Sequence, residues 1–170
     1  AAAAVAQAEK GIKITGRPFR PGCNGVYVQT GDLHEGIPHY TNGKMHLYYV
    51  SRHKKWRIND LFEPENDKCC ASIEVSGVAM PMGKHTWSCS NATVWQDTQI
   101  TTAVPTEEDL AAHEVSVERM KAIRSWCKKS AVAKHDGKVG EVVDDPDGDF
   151  EVKLRWADGT LSGWISAMGL

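Results

Sequence analysis

The residues able to do chemistry gather in the first half of the chain. Cys69-Cys70 follows Lys68, and a neighbouring cation favours the thiolate form, so this pair is a first candidate nucleophile, although one buried and one edge cysteine is the expectation. Ser88-Cys89-Ser90 is a second, but it lies in a β-prone stretch with neither a G-x-S-x-G pattern nor a strand-to-helix elbow. His34, His39, His46, His53 and His85 would have to converge through the fold to hold a metal, because none shares the i, i+4 helical spacing of paired ligands. Glu63 and Glu65 flank Pro64 in a loop, where carboxylates are solvated rather than paired for acid–base work.

The acidic stretch Asp144-Asp145-Pro146-Asp147-Gly148-Asp149 offers alternating oxygens of the kind calcium takes, which makes Asp145, Asp147 and Asp149 the metal candidates. It has neither the EF-hand order nor the twelfth-position glutamate, and Asp, Pro and Gly are equally the residues of a tight hairpin. A turn is therefore the expectation. Gly22-Cys23-Asn24-Gly25 is not followed by a helix and cradles no phosphate. No catalytic residue and no cofactor are expected.

The five cysteines (Cys23, Cys69, Cys70, Cys89 and Cys127) have no paired C-x-x-C spacing for zinc. An odd count with an adjacent pair is no disulfide framework, though one bridge among the first four is open in an oxidising compartment; otherwise they are free, mostly buried thiols. Ser51-Arg52-His53-Lys54-Lys55-Trp56-Arg57 is a basic cluster able to meet a phosphate backbone or anionic headgroups, or to serve as a lysine-rich hairpin turn. The chain as a whole, with 20 basic and 22 acidic residues, has no basic field. Nucleic acid is not an expected partner. No apolar run approaches the roughly 18–20 residues of a membrane span.

The elements that would position these groups are mostly strands. Turn formers recur from Gly11 to about Ala103, with short β-prone runs between them: Ile12–Thr15, Val26–Thr30, His46–Val50, Lys55–Ile58, Cys70–Val75, Thr86–Ser88 and Thr93–Gln96. That is the pattern of a small antiparallel β module. Leu47-Tyr48-Tyr49-Val50 is apolar on both faces, which places it mid-sheet, after a tight Asn42-Gly43 turn. Pro105-Thr106-Glu107-Glu108-Asp109 starts a helix, Thr106 capping it and Asp109 standing where a capping box prefers Glu or Gln. An apolar stripe of Leu110, Val117, Met120, Ile123, Cys127 and Ala131 extends the helix from about 106 to 131, or roughly 39 Å at 1.5 Å per residue.

Phe150, Val152, Leu154 and Trp156 then alternate with charged residues, and Asp158-Gly159 turns the chain into Leu161–Ile165. That layout resembles a small SH3-like barrel. The expected fold is mainly β with one long α-helix: an Ala-rich tail (1–10), an antiparallel β module (11–103), a linking amphipathic helix (104–134) and an SH3-like barrel (135–170).

Asn24-Gly25-Val26-Tyr27, Gly36-Ile37-Pro38-His39-Tyr40, Leu47-Tyr48-Tyr49, Trp56-Arg57-Ile58, Ala71-Ser72, Pro81 and Trp87 occur in an order that resembles a repeat-type β module of dinoflagellate and other marine protist proteins. The likeness spans about residues 12–96 and implies a compact building block without catalysis; a second copy is not evident. Val139-Gly140-Glu141-Val142 followed by Phe150–Trp156 looks somewhat like the SH3-like peripheral subunit of photosystem I, without that family's basic opening strand.

Two small β modules, a helix too long for either alone and the lack of a convincing catalytic set lead to a non-catalytic accessory or scaffolding subunit. Its expected partners are other protein subunits, with peripheral contact to an organellar membrane complex, photosynthetic or respiratory, in a plastid or mitochondrion. Val117, Met120, Ile123, Trp126 and Trp164 are the expected partner contacts. The alternative is a ligand-binding module, with carbohydrate stacking on whichever of the six tryptophans are exposed.

Overall fold

A computed structural model of the chain describes residues 11–17, 20–91, 93–144 and 151–170. It divides into two compact units between His113 and Glu114. The first is a closed antiparallel barrel of eight strands in sequence order: β1 (Ile12–Thr15), β2 (Gly25–His34), β3 (Ile37–Thr41), β4 (His46–Val50), β5 (Lys55–Asn59), β6 (Ala71–Glu74), β7 (Gly83–Ser90) and β8 (Trp95–Ala103). Pairing of Ile14 with Thr102 between β1 and β8 closes it. Closure leaves no sheet edge exposed, which is how an up-and-down sheet of this size avoids pairing with other chains.

Side-chain alternation sorts the strands. Leu47, Tyr49, Trp56, Ile58, Trp87 and Ile100 point into one buried cluster with Ile12, Ile14, Tyr27 and Tyr40. Eight strands enclose a space that side chains of this size fill. The opposite face of β4 is buried too, with Tyr48 at 0% and Val50 at 3% exposure. Its apolar character on both faces reflects a cover over the outside of the barrel rather than a second sheet layer.

Three strands, β2, β7 and β8, run well beyond their β-prone runs, and β3 falls on no such run. β2 extends to His34 and turns through Glu35 (φ 52°) and Gly36 (φ 77°) into β3. Consecutive left-handed residues make the twisted two-residue hairpin turn. Pro38 lies in β3 opposite Leu33, beyond a register shift between Gln29 and Leu33 that loosens the ladder at this point.

The helix α1 (Glu107–Trp126) has 20 residues, about 30 Å at 1.5 Å each, and is shorter than its stripe predicts. Cys127 and Lys128 still bond back to Ile123 and Trp126, after which Ser130 takes φ 69° and bonds to Val142. Ala131 thus belongs to a strand approach, not to the helix. At the other end the capping box is complete despite the short Asp: Thr106 N donates to Asp109 Oδ2 at 3.0 Å and Asp109 N to Thr106 Oγ1 at 3.1 Å. Lys13 on β1 holds the same carboxylate at 2.7 Å.

The second unit has β9 (Val132–His135), β10 (Lys138–Val142), β11 (Glu151–Val152), β12 (Leu154–Trp156) and β13 (Ile165–Ser166). They form a three-stranded sheet, β12-β10-β9, and a two-stranded one, β11-β13. These strands make two small sheets among the described residues, and the closed barrel lies in the first unit instead. Asp136 (φ 48°) and Gly137 (φ 79°) join β9 to β10, a strand pair that draws on residues expected to finish the helix.

Candidate functional site

Two polar clusters stand out on the barrel. The first closes one end. Between β1 and β2, Arg17 N donates to Asn24 Oδ1 at 2.9 Å and Asn24 Nδ2 returns a bond to Arg17 O at 2.8 Å. Asn42, in the β3–β4 turn, donates to Gly22 O at 2.8 Å, and Tyr27 Oη donates to Cys23 O at 2.9 Å. These bonds fix a 3-10 turn, Pro21–Cys23, against the barrel.

Cys23 of that turn, Cys70 and Cys89 are all buried in one cluster. Arg20 Nη1 donates to Cys70 Sγ at 2.8 Å, and the Cys70 S–H reaches Asn59 Oδ1 at 3.5 Å. Arg17 is itself 2% exposed; its Nη2 donates to Ser90 O, while Nε and Nη1 are buried without a partner. Burial pushes the Cys23 thiol up to about 12 against the pull of Arg17. Burial likewise raises Cys69 and Cys70 above the ordinary thiol range. Cys70 is thus a buried thiol and Cys69 a half-buried one beside it, and neither is the thiolate that Lys68 could favour: low dielectric outweighs the nearby cations.

The second cluster sits on the outer face of β3 and β4. His39 Nε2 and His46 Nδ1 are 2.9 Å apart, and the Phe62 ring stacks on His39 at 4.0 Å between centroids. Phe62 also meets Tyr48 and His34 edge-on at 5.2 and 5.8 Å. The loop carrying Phe62 is tied down by Arg57 Nη1 to Asn66 O at 2.8 Å, and by Arg52 to Glu65 and Asp67 at 3.0 Å each. This loop covers Tyr48, whose hydroxyl burial pushes up to about 12.

Burial first, then the charge of His46, lowers His39 to about 4; burial also lowers His46. Three of the five candidate histidines thus gather around Phe62, but two spend their facing nitrogens on each other. His53 pairs with Asp67 and His85 lies on Met82 O at 2.8 Å. Among the described residues no group of three or more His, Cys, Asp or Glu is arranged to hold a metal. Asp145, Asp147 and Asp149 lie outside the described residues.

The basic cluster is a turn. Ser51–His53 is one 3-10 turn closed by Lys54 in the left-handed region, and Arg52 and Arg57 point into the 60–69 loop. Arg52, His53, Lys55 and Arg57 face the protein's own carboxylates and carbonyls.

No protein-family model matches the chain, and no curated protein or solved structure matches it either.

The expected partner contacts divide. Met120 and Ile123 are buried at 6% and 4%, in a cluster with Cys127, Ala133, Val142, Val152, Leu154 and Ala167, and Val117 packs against it. Met120 and Ile123 are thus part of the second unit's own core, with Val117 half-buried against it. Trp126 and Trp164 are 43% and 55% exposed. The sequence could not separate these groups, because a helical stripe reads the same whether its cover comes from its own chain or another. Sequence reasoning also passed over Phe62 and Arg17, whose roles come from contacts distant in the chain.

Proposed function

We propose that this chain is a non-catalytic accessory or scaffolding subunit of a larger protein assembly, held through its second unit, whose small sheets we read as an SH3-like contact module. The observation that carries this is the apolar surface the second unit leaves uncovered. Trp126, Val132, Val139, Leu161 and Trp164 are 43–71% exposed, in a unit spanning Glu114–Leu170. Large side chains exposed at this density on so small a unit are characteristic of contact surfaces.

The chemistry of the polar clusters supports the same reading. Burial raises the Cys23, Cys69 and Cys70 thiols and lowers the His39 and His46 imidazoles, so these groups are neutral at neutral pH rather than poised for attack or proton transfer. The resemblance to protist modules and to a photosystem peripheral subunit favours an organellar membrane complex, photosynthetic or respiratory, as the setting. A carbohydrate platform needs several tryptophans in a row. Trp56 and Trp87 are inside the barrel, which leaves Trp95, 50% exposed, as the single exposed tryptophan among the described residues of the first unit.

The test is the native size of the endogenous protein in a gentle extract, read by sizing and immunodetection. Migration with a much larger species supports the proposal. Migration as a lone chain of 18.7 kDa would sink it.

A further inference from the structure

β9 is the outer strand of its sheet, paired with β10 alone among the described residues. His135 and Lys138 pair across the two-residue turn Asp136-Gly137. At the far end Val142 N donates to Ala131 O at 2.8 Å. Antiparallel partners alternate between pairs that exchange hydrogen bonds and pairs that do not. Ala131, Ala133 and His135 thus spend their backbone groups on β10, and Val132 and Lys134 turn theirs to the open edge. Their side chains are exposed as well, Val132 at 71%, while Ala133 between them is buried at 6%. An edge of this kind is a template for another strand.

Charge says which strand. Between Arg119 and Lys138 seven basic residues stand against one acidic residue, Asp136, which leaves 13 basic against 21 acidic in the rest of the chain. Lys128 and Lys129 lead into β9 and Lys134 lies within it, all three exposed. Lys129 reaches Asp144 at 3.9 Å, but both side chains are exposed and such a pair neutralises little in water. A second copy of the chain would bring its own lysines onto this edge, and like charges disfavour that pairing. A strand bearing carboxylates is the complement.

We propose that the open edge of β9 receives an extended acidic segment of a neighbouring protein subunit, added to the sheet as a further strand. This rests on the reading of the second unit as the docking unit and names what docks there. Backbone bonds to Val132 and Lys134 hold the segment, and the side chains it sets beside them select it. Val132 and Lys134 share one face, so the segment carries an apolar residue and a carboxylate two positions apart.

The test is residue-resolved amide exchange of the full chain, titrated with a short threonine-rich peptide carrying valine and glutamate two residues apart. The Val132 and Lys134 amides should slow several-fold, while those of Ala133 and His135, already bonded, change little. The same peptide with lysine for glutamate should have no effect. Lys134→Glu should abolish the slowing, and so should Val132→Pro, which removes an outward N–H that an edge strand can spare. Both variants should leave the large species of a native extract. Unchanged exchange at Val132 and Lys134 overturns the proposal, as does equal slowing by the lysine peptide. Slowing by phosphatidylglycerol vesicles and not by the glutamate peptide assigns the charge to a membrane surface, which also overturns it. Lys134→Glu chains that stay in the large species remove strand addition and leave the subunit reading standing. A wild-type chain that migrates alone sinks that reading, and the peptide then decides by itself whether the edge takes an acidic strand. The wild-type exchange pattern and Lys134→Glu keep the test decisive even if Val132→Pro does not fold.

Discussion

His39 Nε2 lies 2.9 Å from His46 Nδ1, beneath the stacked ring of Phe62. One ring must donate and the other accept, so the contact exists only while at least one is neutral. Facing the pair are Asp32 and His34 from β2, Tyr48 from β4, and Asp60 from the covering loop. The two aspartates oppose the lowering but do not cancel it. His39 falls from its ordinary 6.5 to about 4, so between those values the unfolded chain binds more protons than the folded one. Stability is therefore flat above pH 6.5 and declines as pH falls towards 4. Discounted for solvent at the rim, the loss is on the order of 1–2 kcal/mol. Urea unfolding across this range measures it, and His39→Gln should flatten the profile. An equally steep profile in the variant would assign the effect to other groups.

Phe62 is the lid on that pair. It is 37% exposed, yet its ring meets His34, His39 and Tyr48. Aromatic contacts add about 0.5–1.5 kcal/mol beyond area. Phe62→Ala should cost about 1–2 kcal/mol and speed amide exchange in residues 60–69, with little change in β7 and β8. Uniform loss of protection over the barrel would show that Phe62 supports the whole fold and not the loop.

Closure of the barrel rests on two glycines flanking β1. Gly11 has φ +107° and a Cβ there would sit 2.7 Å from Tyr27 O; Gly16 has φ +100° and would meet Gln99 O at 2.7 Å. Backbone atoms cannot give way as a side-chain tip does. Gly11→Ala and Gly16→Ala should each cost about 2–3 kcal/mol, strain and clash together. Gly31, at φ +91° with nothing within 4 Å, isolates the strain alone and should cost about 1 kcal/mol. Equal melting shifts for all three substitutions would remove the steric part of the account.

The strands were legible where alternation was strict and turns were marked by Gly and Asn, as at His46–Val50 and Lys55–Ile58. β3 was missed because Pro38 argues against a strand, and only the Glu35-Gly36 turn and pairing with β2 overrule it. Closure was not legible, since nothing in Ile12–Thr15 names Thr101–Ala103 as its partner. The thiol and histidine clusters were invisible for the same reason. Arg20 meets Cys70 and Phe62 meets His39 across loops whose course no local pattern encodes.

Asp109 ties the start of α1 both to its own Thr106 and to Lys13 of β1. The Lys13 ammonium first, then the Thr106 backbone, holds its carboxyl at about 2. The depressed value makes this a contribution present above the ordinary carboxylate range and lost as pH falls towards 2. Thr106→Ala should remove the cap at about 1 kcal/mol. Asp109→Asn should weaken the helix start and abolish its acid sensitivity, both visible in amide exchange at residues 107–111. Unaltered exchange there would mean that the helix is held from its later turns alone.

Those later turns separate folding from function. Met120 and Trp126 lie on the same helix, but Met120 is 6% exposed inside the second core and Trp126 is 43% exposed. Met120→Ala removes buried volume and should cost about 2–4 kcal/mol, read by chemical denaturation of the isolated chain. Trp126→Ser, alone or with Trp164→Ser, removes surface that the chain does not bury and should stay within about 0.5 kcal/mol. In the organism the order should invert. The tryptophan variants should fold normally yet dissociate from the large native species, because the side chains lost are those a neighbouring subunit would cover. If they co-migrate with that species like the wild type, the docking surface lies elsewhere on the chain, and the exposed tryptophans of the second unit are not its anchors.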